Sequence, residues 1–167
     1  VDSLSTLRLC LRPWAADDLD ELHRLWTEPG VRRYLWDDAV ISRERAAEAL
    51  ESHFETVASH GIGYWIVELA GDPRVAGFCG FRLFEPGEVE LLYGFLPEFW
   101  GLGLATEASQ VALEYLWAKT ALPRVWAKTD PPNRKSVEVM RRLGMREHSS
   151  TTASIEYVLE RPAYISI

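Results

Sequence analysis

The residues that most directly suggest chemistry lie between Tyr93 and Ala108, where Pro97-Glu98-Phe99-Trp100-Gly101-Leu102-Gly103-Leu104-Ala105-Thr106-Glu107-Ala108 follows an apolar run. The pattern is a strand, a turn bearing Gly101 and Gly103, then an amphipathic helix. A helix N-terminus carries backbone N–H groups without intrahelical partners, and its dipole adds positive potential, so a turn feeding one suits a phosphate. Glycines without Cβ atoms let the backbone come close to such an anion. A dinucleotide fingerprint would need glycine at position 106, which is Thr106, and a P-loop would need Gly-Lys-Ser/Thr, which is absent. Alone, a Gly-x-Gly turn reads equally well as a tight strand–helix connection.

A second segment follows: Asn133-Arg134-Lys135-Ser136, with Leu143-Gly144-Met145 downstream. Together the two segments resemble the acetyl-CoA pyrophosphate loop and the second signature of the GNAT N-acetyltransferases. Leu4-Ser5-Thr6-Leu7-Arg8-Leu9-Cys10-Leu11-Arg12-Pro13, Asp17-Asp18-Leu19, Trp26-Thr27-Glu28-Pro29 and Gly77-Phe78-Cys79-Gly80 resemble the RimJ/RimL-type subgroup, named for ribosomal-protein N-terminal acetylation. The likeness covers nearly the whole chain. It implies a single GNAT domain over residues 1–167, with an α/β (α+β) fold. The sheet would be mixed and mostly antiparallel, of six to seven strands, flanked by about four helices and splayed between its fourth and fifth strands.

The resemblance further implies acetyl-CoA as cosubstrate. Its pantetheine arm would lie in the splay against Phe95 and Leu96, and its pyrophosphate on the N–H groups of Trp100, Gly101, Leu102, Gly103, Leu104 and Ala105, with Thr106 beside them. Asn133 would bond the arm, and Ser136 is the hydroxyl nearest the leaving thiolate. Two positions depart from the family pattern: Glu98 stands where Gln or Arg is usual, and Met140 where many members carry a Tyr. These departures keep open a non-catalytic acyl-CoA-binding module.

In such an enzyme a neutral amine attacks the thioester directly, so holding the reactants together supplies much of the rate and one general base suffices. Glu90, on the expected strand Glu88–Phe95 where the resemblance implies a catalytic carboxylate, is the candidate base, and Glu88 shares its face by the period of two. Both also read as solvated acids near a turn. Ser136 serves equally as a helix cap. By the resemblance, Trp36, Asp37 and Asp38 would border the acceptor entrance, where an indole and two carboxylates suit a cationic amine. An ordinary exposed turn is the other reading. The resemblance implies a peptide N-terminal amine as acceptor, with a small polyamine or aminoglycoside as the alternative.

The elements that must position these groups follow from periodicity. Leu7, Leu9 and Leu11 alternate with polar residues in a strand running to Pro13. Asp17 or Asp18 caps a helix carrying Leu19, Leu22, Leu25 and Trp26, ended by Pro29-Gly30. Ser42 caps another, with Ala46, Leu50, Phe54 and Val57 inward. Strands are expected at Tyr64–Leu69, Arg74–Phe84, Glu88–Phe95, Arg124–Thr129, Met145–Ser149 and Ser154–Leu159. Helices fall after Gly103 and over Asn133–Leu143.

Composition narrows the function classes. A net charge of −7 without a Lys/Arg stripe argues against nucleic-acid binding. No run of 18 apolar residues or leader pattern occurs, so no membrane span is expected. The 2 cysteines and 4 histidines are scattered, so no metal site is expected. The expected compartment is the reducing cytoplasm, and the expected assembly a monomer or homodimer.

Overall fold

The strand-period segments pair into one eight-stranded sheet in the computed structural model, which describes residues 1–163. The strands are β1 (Leu4–Ser5), β2 (Leu9–Pro13), β3 (Tyr64–Leu69), β4 (Asp72–Glu85), β5 (Glu88–Phe95), β6 (Arg124–Thr129), β7 (Arg146–Ser150) and β8 (Ile155–Glu160). Their order is β1-β2-β3-β4-β5-β6-β8-β7, and every neighbouring pair is antiparallel except β5 with β6. The helices are α1 (Leu19–Thr27), α2 (Pro29–Arg32), α3 (Arg43–His60), α4 (Leu104–Lys119) and α5 (Arg134–Arg142).

Eight strands replace the six to seven expected, because the chain turns back at Thr6, whose N–H donates to the Leu9 carbonyl at 2.9 Å, and adds β1. Leu7 sits on that turn and is 94% exposed, so it does not join the apolar face of Leu9 and Leu11. α1 ends at Thr27, just before Pro29-Gly30 as expected, and a separate short helix, α2, starts at Pro29. The Glu28 carboxylate caps α2 from the Val31 N–H, with Pro29 at the first position, where a missing N–H costs nothing. Asp18 does not cap α1 with its side chain; it accepts two bonds from Arg12, at 2.7 and 2.8 Å, and one from the Ala15 N–H at 2.7 Å. Ser42 caps α3 as expected, but His53 faces inward there while Phe54 faces out.

What matters for a site is the junction of β5 and β6. These strands share a single register pair, Glu90 with Trp126, yet β5 continues to Phe95 and β6 to Thr129. Their C-terminal ends therefore part, and a cleft opens between them. Along β5, Leu92 faces the α1/α3 side and Tyr93 faces α5. The β4 neighbours divide likewise: Phe78 packs with Trp14 and Trp26, whereas Cys79 contacts Ser109 of α4. Among the described residues, no helix is long and apolar enough to cross a membrane, and no His/Cys/Asp/Glu group suits a metal ion.

Candidate active site

The turn between β5 and α4 is built around two residues that only glycine accommodates without strain. Gly101 and Gly103 both have φ of 77°, and Gly103 caps α4 without a side chain. The first α4 hydrogen bond runs from the Glu107 N–H to the Gly103 carbonyl at 3.1 Å. Among the described residues, the N–H groups of Gly101, Leu102, Gly103, Leu104, Ala105 and Thr106 therefore have no partner. The Trp100 N–H, expected in this set, donates instead to the Pro97 carbonyl at 3.1 Å. The Thr106 hydroxyl adds a seventh group: Oγ1 is buried and unpartnered. The carbonyl four residues back, at Leu102, accepts from Arg8 Nη1 at 2.9 Å.

Arg8 is the strut of this loop, and the sequence reading missed it. Its guanidinium ion-pairs with Glu107, with Nε to Oε2 at 2.7 Å, and Glu107 also accepts from the Thr6 hydroxyl. Burial alone would raise the Glu107 carboxyl, but Thr6 and Arg8 outweigh it and hold it below the usual range. Glu98 lines a separate surface hollow with Arg24 and Arg74, so its carboxylate sits among guanidiniums rather than against the free N–H groups.

On the α5 side of the cleft, Asn133 caps α5 by accepting from the Ser136 N–H at 3.3 Å. Asn133 is thus the cap that Ser136 was offered as, which frees the Ser136 hydroxyl. That hydroxyl lies 2.8 Å from Tyr93 Oη on β5. Burial holds the Tyr93 phenol well above its ordinary value, against the opposing pull of the Ser136 bond, so it stays protonated. The position where a Tyr is common is Met140, buried in the core. Trp100 spans the mouth. Its indole N–H donates to the Phe95 carbonyl at 2.7 Å, its ring packs against Gly30, and Lys135 Nζ lies 4.1 Å from the ring centroid. Leu96 is buried, and its N–H donates to the Ala76 carbonyl at 2.9 Å. At Phe95 and Leu96, expected against the cofactor arm, the Phe95 carbonyl and the Leu96 N–H thus each have a protein partner.

On the other face of the sheet lies a cavity of about 360 Å³, walled by Trp14, Trp26, Trp36, His53, Tyr64 and Phe78, with Arg82 and Leu92 among its lining residues. It is at the small end of the range for small-molecule sites, ~300–1,000 Å³. Trp36 belongs to it. Asp37 and Asp38 do not line it: they occupy a left-handed turn, and Asp38 bonds Arg32 at 3.0 Å. Of the three residues expected at the acceptor entrance, only Trp36 lines this cavity. Glu90 is 8% exposed and accepts from Arg82 Nε at 2.6 Å and Nη2 at 2.5 Å. Glu88 is bound to Arg124 and to the Trp126 indole N–H at 2.6 Å, which together hold its carboxyl below the usual range. Of the two, only Glu90 has a partner on the cavity wall.

The geometry thus offers an anion-binding helix start, a cleft leading from it, and a separate aromatic cavity on the other face of the strand that borders the cleft. The family model described as an acetyltransferase (GNAT) domain matches residues 8–146. The chain is 26% identical over 149 residues to an uncharacterized N-acetyltransferase, p20, of Bacillus licheniformis, covering 88% of this chain and 84% of that one. It is 25% identical over 138 residues to a spermidine N(1)-acetyltransferase of Escherichia coli K12, covering 80% and 70%. RimL, a ribosomal L7/L12 α-N-protein acetyltransferase solved with coenzyme A, superposes with a TM-score of 0.78 at 18% identity, covering 93% and 95%.

Proposed function

The chain belongs to the GNAT acetyltransferase family, and on that premise we propose that it transfers the acetyl group of acetyl-CoA to a primary amine held in the aromatic cavity. The observation that carries this reading is the run of six unpartnered N–H groups, with the Thr106 hydroxyl, at the mouth of the β5–β6 cleft. Those donors fit a pyrophosphate, and the charge that would oppose it, Glu98, lines a separate hollow with Arg24 and Arg74.

In the proposed reaction the amine nitrogen attacks the thioester carbonyl carbon, and the carbon–sulfur bond breaks. The amine proton passes to Glu90, directly or through one water, while Arg82, which lines the cavity, holds the carboxylate. The departing sulfur takes a hydrogen bond from Ser136, whose hydroxyl is oriented by Tyr93. A phenol held so far up is a poor acid toward a thiolate, so the pair stabilises the sulfur by hydrogen bonding rather than by giving it a proton. Asn133 orders the start of α5 from which Ser136 projects.

Peptide N-termini and small amines are both acceptors among similar proteins, by the names of RimL and the spermidine enzyme. A panel of N-terminal peptides, amino acids, polyamines and aminoglycosides tests the reading, with free thiol released and acetylated product followed by mass spectrometry. Thiol release matched by an acetylated amine supports it; hydrolysis alone, or no turnover across the panel, overturns it.

A further inference from the structure

Helix α5 opens with two cations at the end where its dipole disfavours them. Arg134 and Lys135 are its first two residues, both are exposed, and the first turn holds no acid. Cations stabilise the other end of a helix, where α5 carries Arg141 and Arg142. Among the described residues, neither Arg134 nor Lys135 has a carboxylate partner, whereas Lys119 pairs with Asp2 at 3.2 Å and Lys128 with Glu156 at 3.9 Å. Two charges placed against the dipole without a counter-ion point to an anion from outside the chain.

A second observation fixes where that anion lies. Lys135 Nζ rests 4.1 Å from the centroid of the Trp100 ring, and Trp100 is 38% exposed. Trp100 directly precedes Gly101, the first of the six free N–H groups, and the buried Thr106 hydroxyl that joins them has no partner either. The ammonium therefore stands beside the residue that leads into the donor set fitting a pyrophosphate. Arg8 does not supply that charge, because Glu107 balances it. In a chain of net charge −7 a polyanion approaches against the overall field, so unpaired cations at the cleft mouth matter most for holding it.

The free N–H groups and the Thr106 hydroxyl are donors enough for a pyrophosphate. Coenzyme A carries a third phosphate, on the adenosine ribose, past the pyrophosphate and so outside the cleft that takes the arm. We propose that Lys135, with Arg134 beside it, takes this 3′-phosphate, so that the two cations make the site select coenzyme A over its dephospho form. The Trp100 face keeps the ammonium beside the loop. A phosphate oxygen is the stronger partner, and the flexible lysine stem lets Nζ reach it without any change in the packed core. This deepens the acetyltransferase reading and rests on it.

The test is isothermal titration calorimetry with coenzyme A and with dephospho-coenzyme A, on the wild type and on Lys135→Met, which keeps most of the stem and removes the charge. Wild type should bind coenzyme A ~5–10-fold more tightly at low salt, between the effect of an exposed ion pair and that of a charge-assisted hydrogen bond. Lys135→Met should remove most of that preference by weakening coenzyme A alone, and adding Arg134→Met should remove the rest. Lys135→Arg should keep it. The preference should narrow in high salt, since exposed charges are screened. Thermal melts of the unliganded variants should stay within a few degrees of wild type, which separates lost binding from lost folding. Equal binding of the two forms by wild type, or a preference that the double variant retains, overturns the proposal and leaves acetyl transfer standing. Equal weakening of both forms in Lys135→Met also overturns it, because the lysine then serves the pyrophosphate that they share. Binding of neither form to the folded wild type overturns the acetyltransferase reading itself, and this proposal with it.

Discussion

Replacing Arg8 with Met isolates what the loop strut contributes. Arg8 is about half exposed and its partner Glu107 is 21% exposed, so the ion pair is worth about 1 kcal/mol or less to folding. At ~2–4 °C per kcal/mol for a domain of this size, the melting temperature should fall only a few degrees. The larger effect falls on ligand binding. Glu107 balances the Arg8 charge, so direct attraction to a pyrophosphate is secondary. What is lost is the hold on the Leu102 carbonyl, between the two glycines. Fixing a backbone residue costs ~1–2 kcal/mol, and a loop released at Leu102 must be fixed again on binding. A penalty of ~1–2 kcal/mol raises the acetyl-CoA Kd by ~5–30-fold. Isothermal titration calorimetry at low and high salt reads this directly, and because the loss is one of order rather than charge, it should persist in high salt. Glu107→Gln should weaken binding in the same direction, and the double variant should cost less than the sum, since both act through one network. An unchanged Kd in Arg8→Met, or a change that vanishes with salt, refutes the reasoning.

Glu90→Gln should lower turnover ~10²–10⁴-fold and leave the acetyl-CoA Kd unchanged, because Arg82 is exposed enough to be solvated alone; wild-type rates across pH would remove Glu90 from the mechanism. Gly103→Val should lower the melting temperature, since a branched residue at φ 77° is strained, and should abolish the shift that acetyl-CoA gives the wild type. A retained shift would mean the ligand does not approach that backbone. His53 has a depressed folded pKa, so its contribution to stability is complete above about 6.5 and is lost as pH falls toward about 4. Urea midpoints at pH 7.5 and 5 should differ by less in His53→Asn than in the wild type; an equal difference would place the titrating group elsewhere.

Much of the sheet was legible because alternation and turn chemistry are local. The strand from Glu88 to Phe95 and the two glycines after it stand as read, since each is decided within a few residues. Leu7 misled because alternation continues one step past the point where the chain turns back. Phe54 and His53 exchange faces because one residue on a helix is about 100° of rotation, and a buried His looks polar in a pattern. The site was legible only where its donors are backbone groups next to one another. Arg8 meets Glu107 across 99 residues, and Tyr93 meets Ser136 across 43. Such partners share no local signal. Trp36, Asp37 and Asp38 are adjacent in sequence, yet only Trp36 lines the aromatic cavity, while Asp37 and Asp38 have left-handed backbone.

The central claim is that the start of α4 receives the pyrophosphate of acetyl-CoA. Backbone amide signals of ¹⁵N-labelled protein, followed while acetyl-CoA is titrated, test it most directly. The account predicts that the largest shifts fall on Gly101 to Thr106, whose N–H groups are unpartnered, with saturation at a single stoichiometric equivalent. Shifts concentrated elsewhere while those six amides stay still, or no saturable shifts at millimolar acetyl-CoA, would contradict it.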